Sequence, residues 1–476
     1  MAESFWIETL GCPKNQVDSD KIAGSLLSDG MRRAGEVKDA DLVVVNTCAF
    51  IESARQESVD VILGLSEQVK QDMSGGQGIS GGQRLVVTGC MAERYGSELA
   101  EALPEVDAVM GFGIPVNIGR GNIKKHKVPK MDLLNMARPK SELPWAYVKI
   151  AEGCDRSCGY CAIPQFRGPQ RSRSSEVICD EVESLQVREA VLIAQDLAAY
   201  GRDAAVRNNM REAVRNSVRS GKTGSKYPII SLIYEVAKRV DWVRLLYLYP
   251  ADLTDELVEA ILATGVPYFD LSLQHVSRPL LRRMRRWGDG DRFLSRIQHI
   301  RHQAPDAVFR SNFIVGYPGE TEEDQEQLLE FIEAAQLDWC AFFAFSSEEG
   351  TYAADLSNHV PASLIAERLA ELREAQDAIT ESHRRQLLGE YVRVLVDAPG
   401  IARSHREAPE IDGIIHVPAH LPVGEFAEVE VIGSVGPDLE ARSVDAGSAS
   451  DQSASYQSAS AQSACVQSAK VGHAYG

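Results

Sequence analysis

Three cysteines in the middle of the chain, Cys154, Cys158 and Cys161, have the spacing C-x3-C-x2-C, and Gly153 and Gly159 punctuate the segment that carries them. Three thiolates held this close together can bind three of the four irons of a 4Fe-4S cubane, which leaves one iron open to a small chelating molecule. S-adenosylmethionine fits that role through its amino and carboxylate groups, and one-electron reduction of its sulfonium would release a carbon radical. The spacing therefore predicts a radical-generating iron–sulfur site.

A zinc knot and a set of three buried thiols are the alternatives for this triad. Zinc sites usually close with four ligands, often as two paired C-x2-C halves. The nearest further candidates, His126 and Cys179, are distant in sequence from both ends of the triad. An incomplete set of three cysteines favours the cluster over zinc.

A second set of cysteines lies in the N-terminal part of the chain, where Cys12, Cys48 and Cys90 each follow a predicted strand almost at once. These strands cover residues 4–10, 41–46 and 84–88, and helical stretches separate them. Open parallel sheets place their ligands beyond the carboxyl ends of the strands, so the three thiolates should converge. From position alone, a second cluster and buried thiols that behave as small apolar side chains are equally compatible with the pattern.

The elements that must position these residues predict an α/β fold. An N-terminal parallel α/β domain covers residues 1–140, and a central partial TIM-type (β/α) barrel covers 141–388. The barrel strands are predicted at 146–150, 189–194, 243–248, 268–273, 308–315 and 339–345, and the site should lie at their carboxyl ends. A basic insertion, 202–226, interrupts the series. The pattern of residues 389–443 predicts a small all-β barrel. Residues 444–476 are rich in Ser, Ala and Gln, and this composition predicts a disordered tail.

Composition narrows the class of protein further. Hydrophobic residues make up 44% and charged residues 25% of the chain, as in ordinary globular proteins, and the net charge is −18. No apolar run is long enough to span a membrane, and the N-terminus does not resemble a secretory signal. Nine cysteines without an export signal argue against a disulfide framework. We therefore expect a cytoplasmic protein with no membrane partner.

The segment from Ala146 to Arg173, which contains the central triad, resembles the radical S-adenosylmethionine superfamily and, more specifically, its methylthiotransferases. Further matches follow in chain order at residues 195–196, 200–201, 272–275, 314–321 and 346–351. Within that family, the run Leu10–Asn15 (LGCPKN) resembles the RimO branch, and so does the run 245–250 (LLYLYP). Two positions, Leu197 and Ser272, depart from the family pattern.

The resemblance implies two 4Fe-4S clusters and S-adenosylmethionine as cofactors. The cluster on Cys154, Cys158 and Cys161 would cleave S-adenosylmethionine to a radical. The cluster on Cys12, Cys48 and Cys90 would carry the sulfur that is inserted. A second S-adenosylmethionine would supply the methyl group, and a donor such as flavodoxin or ferredoxin the electrons.

Three further residues are candidate contacts for S-adenosylmethionine. Gln195, Asp196 and Arg310 are all predicted at or near strand ends that face the barrel mouth. A scaffold role, in which these side chains satisfy hydrogen bonds of the loops, fits the same positions equally well.

The resemblance also implies a substrate, an aspartate of small-subunit ribosomal protein S-twelve that becomes 3-methylthioaspartate. The C-terminal barrel resembles the TRAM domain, and residues 390–442 hold ten acidic and four basic side chains, a net charge of −6. An acidic surface suits a basic ribosomal protein, free or on the ribosome, better than tRNA. A tRNA adenosine methylthiotransferase and a non-catalytic iron–sulfur module are the alternatives. The basic runs 202–226 and 282–286 allow a secondary contact with nucleic acid, although solvated helix faces explain such runs more often.

Overall fold

The computed structural model describes residues 3–74, 83–116, 132–203 and 227–444. The basic insertion beyond Asp203, the glycine-rich loop 75–82, the segment 117–131 and the tail from residue 445 lie outside the described residues. The predictions made for these segments therefore stay predictions. Within the described chain, no helix is both long enough and apolar enough to cross a membrane.

The N-terminal region is a parallel sheet with helices between its strands, as predicted. Its central strands are apolar because both of their faces are covered, and every residue of the strand Leu42–Thr47 is buried. The strand order is β2-β1-β3-β4-β5, and all pairs are parallel. The elements are β1 (Ser4–Thr9), α1 (Pro13–Ser28), β2 (Arg32–Arg33), β3 (Leu42–Thr47), α2 (Glu52–Ser74), β4 (Arg84–Gly89), α3 (Cys90–Ala102) and β5 (Ala108–Val109).

The central region has six parallel strands in sequence order, which confirms the partial barrel. Two three-stranded sheets are joined by a parallel bridge between Leu248 and Leu271. The strands are β6 (Trp145–Lys149), β9 (Glu189–Ile193), β10 (Trp242–Leu245), β11 (Tyr268–Gln274), β12 (Val308–Val315) and β13 (Trp339–Ala344). A short antiparallel pair, β7 (Ala151–Glu152) and β8 (Arg171–Ser172), flanks the loop that carries the central cysteines.

Helices cover the outside of these strands, and local sequence fixes their ends. Helix Glu322–Ala335, for example, begins with a capping box between Thr321 and Asp324. A long charged helix, Ala362–Gln386, leads into the C-terminal barrel. The helices of this region are α4 (Ile163–Arg167), α5 (Ser175–Leu185), α6 (Pro228–Ala237), α7 (Asp255–Leu262), α8 (Arg278–Arg283), α9 (Gly290–Gln303), α10 (Glu322–Ala335) and α11 (Ala362–Gln386).

The C-terminal region is a closed five-stranded barrel, which confirms the all-β prediction. The order around the barrel is β14-β15-β16-β18-β17. Of its strands, β15 is very short, and β18 alternates charged and apolar residues next to a tight turn. The strands are β14 (Tyr391–Ala398), β15 (Ile401–Arg403), β16 (Ile415–His416), β17 (Phe426–Val435) and β18 (Asp438–Ser443).

Candidate active site

The central cysteine loop is held in place by backbone contacts on both sides. The N–H of Cys154 donates to the carbonyl of Gly168 at 3.1 Å, and the N–H of Gly159 donates to the carbonyl of Met284 at 2.8 Å. Gly153 has φ +81°, and a Cβ there would lie 2.3 Å from the carbonyl oxygen of Pro169. The position therefore requires glycine, because any side chain would push the loop away from β8. Cys154, Cys158 and Cys161 are partly buried free thiols on this loop.

The three N-terminal cysteines converge at one edge of their sheet. Cys12 caps α1, Cys48 follows β3, and Cys90 opens α3 directly after β4. The side-chain amide of Asn15 links two of these strand ends, because it donates to the backbone carbonyls of Leu10 at 2.8 Å and Thr47 at 3.0 Å.

Close backbone approach brings the N-terminal cysteine loops together. Gly11 packs so tightly on the second cysteine that a Cβ there would lie 2.7 Å from the Cβ of Cys48. Gly89, with φ +94°, leaves no room for a Cβ beside the backbone of Thr47. The sequence thus builds three neighbouring cysteine positions from loops that are far apart in the chain.

Both sets of cysteines line a single cavity at the carboxyl ends of the strands. Predicted site residues Gln195 and Asp196 also line it, as do four cationic side chains and several aromatic rings. The main lining residues are Cys12, Cys48, Cys90, Cys154, Cys158, Cys161, Lys14, Arg156, Arg167, Arg286, Tyr160, Tyr247, Tyr249, Gln195, Asp196, Ser272 and Gln274.

The donor set suits a multi-iron cluster better than a single metal ion. Across the described residues, no three His, Cys, Asp or Glu side chains are close enough together to hold one ion. A zinc site needs its ligands gathered at about 2.3 Å from a single centre, whereas a cubane spreads its thiolates over separate irons. Each set of three cysteines also leaves one iron of such a cluster without a protein ligand.

The charges around the central loop compensate negative thiolates. Burial raises the pKa of Cys154 to about 11 and that of Cys161 to about 12, so a thiolate here needs a metal or a cation beside it. The guanidinium of Arg286 donates to the sulfur of Cys158 at 3.4 Å. The run that contains Arg286 suggested a solvated helix face, but this side chain is buried and faces the cavity.

Cys90 is joined to the barrel by a buried network of charges. Arg167 donates to the Cys90 sulfur at 3.0 Å and to the carboxylates of Asp18 and Glu152 at 2.9 and 3.0 Å. Lys149 completes the network through ion pairs with the same two carboxylates. Two cations thus balance two anions in the interior, beside the cysteine.

The three predicted contacts for S-adenosylmethionine have different positions. Gln195 donates to Glu152 at 2.6 Å, and Asp196 accepts from Arg156 at 2.6 Å, both at the cavity. The structure does not bring Arg310 to the cavity: it pairs with Asp270 at 3.1 Å on the adjacent strand. The reason is that Arg310 lies near the start of β12, whereas the cavity lies at the carboxyl ends of the strands.

Lys14 and Tyr247 form a contact at the cavity that sequence patterns did not reveal as a site. The ammonium of Lys14 lies 3.2 Å from the centre of the Tyr247 ring, and burial lowers the pKa of Lys14. Tyr247 has φ +68°, which a non-glycine residue rarely adopts. Both residues lie within the sequence runs quoted above, LGCPKN and LLYLYP, and that was the one signal that could have pointed to them.

A buried carboxylate holds the N-terminal region against the barrel. Glu348, 2% exposed, pairs with Arg55 at 2.5 Å and with Arg94 at 2.6 Å. Arg94 also donates to the carbonyl of Ala49, next to Cys48, at 3.0 Å. The position of the Cys48 loop over the cavity therefore depends on a contact with the loop that follows β13.

Comparison with known proteins gives three matching families along the chain. Residues 4–111 match the Uncharacterized protein family UPF0004, residues 148–332 the Radical SAM superfamily, and residues 387–444 the TRAM domain. The chain is similar to a protein of Moorella thermoacetica named "Ribosomal protein uS12 methylthiotransferase RimO", with 40% identity over 89% of this chain and 95% of the relative. A protein of the same name from Cutibacterium acnes is 36% identical over 92% of this chain and 97% of the relative. Among solved structures, the radical S-adenosylmethionine methyltransferase TsrM from Kitasatospora setae matches 86% of this chain and 82% of its own, with a TM-score of 0.42 and 14% identity.

Proposed function

Because the chain belongs to the RimO family of ribosomal protein uS12 methylthiotransferases, we propose that it adds a methylthio group to the β-carbon of an aspartate in that ribosomal protein. The observation that carries this proposal is the cavity lined by two separate sets of three cysteines. A reaction that inserts sulfur at an unreactive C–H bond needs a source of radicals and a source of sulfur at one place.

In this proposal Cys154, Cys158 and Cys161 would hold one 4Fe-4S cluster, and S-adenosylmethionine would bind beside it in the cavity. When bound, the cluster supplies the one-electron chemistry that cleaves this molecule. Arg286 stabilises negative charge on Cys158, and the guanidinium of Arg156 is fixed by Asp196 at 2.6 Å, beside the Cys154 loop. Gln195 and Asp196 remain proposed contacts for S-adenosylmethionine.

Cys12, Cys48 and Cys90 hold a second 4Fe-4S cluster in the same proposal. The donor set supports it: three soft sulfur ligands, one of them hydrogen-bonded by the buried Arg167. Arg167 stabilises negative charge on the Cys90 sulfur and keeps the loop at a fixed distance from the barrel.

We assign residues 1–140 to the sulfur-carrying domain, 141–388 to the radical-generating barrel, 389–443 to the substrate-recognising TRAM domain and 444–476 to a tail. An electron-transfer protein such as flavodoxin or ferredoxin is the proposed reductant. The cytoplasm, where ribosomal proteins are made, is the proposed location.

The charge of the C-terminal barrel supports a protein substrate over tRNA. Arg403 is buried in ion pairs with Asp397 and Glu189, and Arg442 pairs with Glu430 at 2.8 Å. These cations are thus engaged within the protein, whereas a barrel that grips RNA presents its cations to phosphates. The acidic side chains that remain suit a basic ribosomal protein.

The test is mass spectrometry of ribosomal protein uS12 and of tRNA from a strain that lacks this gene. We expect uS12 to lose the mass of one methylthio group and tRNA to be unchanged. Complementation with the wild-type gene should restore the modification, and complementation with Cys154→Ala should not. Loss of a methylthio group from tRNA, with uS12 still modified, would overturn the proposed substrate.

The non-catalytic alternative is tested separately with purified protein. The reduced enzyme should form 5′-deoxyadenosine from S-adenosylmethionine, and Cys154→Ala should form none. A reduced wild-type protein that carries its clusters and forms no 5′-deoxyadenosine would favour an iron–sulfur binding module.

A further inference from the structure

Four cationic side chains line the cavity, and three of them have partners within the protein. Arg156 pairs with Asp196, Arg167 pairs with Asp18 and Glu152, and Arg286 donates to the Cys158 sulfur. Within the described residues, the ammonium of Lys14 makes no ion pair with a carboxylate and no hydrogen bond. It lies over the Tyr247 ring, and the nearby groups that attract it, Cys12 and Asp270, are not in direct polar contact with it. Lys14 therefore brings to the cavity a cation that no protein carboxylate engages.

This arrangement favours the binding of an anionic ligand. Lys14 is 8% exposed, and a buried ammonium is stabilised when an anion pairs with it directly. The face of an aromatic ring offsets part of that cost and leaves the hydrogen-bonding positions of the ammonium free. A ligand with a carboxylate that enters this cavity would supply the missing partner.

The ring beneath Lys14 is fixed by a series of buried contacts. The left-handed backbone of Tyr247 is held by its N–H, which donates to Asp270 at 2.9 Å. Asp270 is held by Arg310 at 3.1 Å, and Arg310 in turn contacts Asp412 of the C-terminal barrel at 3.5 Å. Strained backbone survives only where its surroundings impose it, and it clusters at ligand sites. The position of the ring on which Lys14 packs is therefore fixed by both the central and the C-terminal regions.

We propose that Lys14 is the specificity residue of the reaction, and that its ammonium binds the side-chain carboxylate of the aspartate that is modified. This inference rests on the proposed function. The β-carbon is bonded directly to that carboxylate carbon, so an ion pair with Lys14 holds the reacting carbon between the two cysteine sets. Asparagine has the same shape but no negative charge, so the subsite selects aspartate over asparagine.

S-adenosylmethionine also has a carboxylate, but the position of Lys14 favours the aspartate. Under the proposed function, S-adenosylmethionine would bind at the cluster that the Cys154 loop would hold. Lys14 belongs instead to the Cys12 loop, in the first turn of α1. Two arms of the experiment separate these sources of a carboxylate.

The experiment compares wild type with Lys14→Met, Lys14→Arg and the control Lys140→Met, an exposed lysine outside the cavity. One arm measures the iron content and the dissociation constant for S-adenosylmethionine. The other measures kcat/KM for uS12 with the target aspartate and for uS12 with asparagine in its place. All four proteins carry both clusters before comparison.

We expect Lys14→Met to keep the iron and to bind S-adenosylmethionine within about twofold of wild type. Its kcat/KM for the aspartate substrate should fall roughly tenfold to a hundredfold, as for the loss of one charged hydrogen bond, and its preference over asparagine should disappear. Lys14→Arg should restore part of that preference, and Lys140→Met should behave as wild type.

Two results would overturn the assignment of Lys14 and leave the proposed function standing. One is an unchanged preference for aspartate in Lys14→Met, and the other is a large loss of affinity for S-adenosylmethionine with that preference intact. A wild-type enzyme that carries both clusters and modifies neither substrate would instead overturn the proposed function, and this inference with it.

Discussion

Removal of Arg167 is the perturbation that most severely tests how the N-terminal cysteines are held against the barrel. Its side chain is 2% exposed and pairs with Asp18 and Glu152, whose charges Lys149 also shares. In Arg167→Met, two buried carboxylates would have one ammonium between them. Removal of one partner from a buried ion pair costs about 3–5 kcal/mol, and we expect a loss of stability in that range.

The assay is urea unfolding of cluster-free protein, so that loss of metal does not contribute to the measured change. The matched control is Arg171→Met, because Arg171 is 59% exposed and lies 3.9 Å from Asp132. We expect that control to change stability by less than about 0.5 kcal/mol.

A double variant tests the physical reason for the loss. Glu152→Gln removes one of the two carboxylates, so in the Arg167→Met background it should cost little or even restore stability. The two changes should therefore be strongly non-additive. A loss below about 1 kcal/mol in Arg167→Met, or simple additivity with Glu152→Gln, would refute a charge-balanced network.

Three further outcomes follow from buried groups. The pKa of His275 is lowered from 6.5 to about 4 by burial, so the unfolded chain binds more protons between these values and stability falls as the pH falls. We expect a loss of about 2 kcal/mol from about pH 7 to about pH 5 that is absent in His275→Gln, and equal pH slopes in urea unfolding would contradict it. Gly153→Ala should lose the iron held by the central cysteines, because its Cβ would meet the backbone of Pro169. Gly64→Ala, which has open space and no positive φ, should keep it, and equal iron contents would count against the loop geometry. Glu348→Gln should speed hydrogen exchange across residues 49–58 and leave 308–315 unchanged, since its two arginine partners lie on the N-terminal side; unaltered exchange would show that this ion pair does not hold the two regions together.

The strands of the N-terminal and central regions were predictable because they are parallel and buried. Runs such as Leu42–Val45 have no polar face, so their extent is clear from composition alone. The convergence of Cys12, Cys48 and Cys90 followed from the same property, since parallel strands end at one edge. That this edge faces the central cysteine loop depends on packing between regions, which no local pattern encodes.

The positions of the arginines were less predictable, for physical reasons specific to each. Arg310 is the third residue of a correctly predicted strand, so its distance from the carboxyl end already argued against a place at the cavity. Arg286 belongs to a basic run whose other arginines are more exposed, and its burial comes from contact with the cysteine loop. Arg167 ends a helix of five residues, and its partners Asp18 and Cys90 come from distant parts of the chain.

The most direct test of two clusters in one cavity is the iron and sulfide content of wild type, Cys12→Ala, Cys154→Ala and the control Cys179→Ala, a buried cysteine outside the cavity. Two 4Fe-4S clusters predict about eight irons in wild type and in the control, and about four in each of the other variants. Only about four irons in wild type, all lost in Cys154→Ala and all kept in Cys12→Ala, would contradict the second cluster and with it sulfur insertion at this cavity.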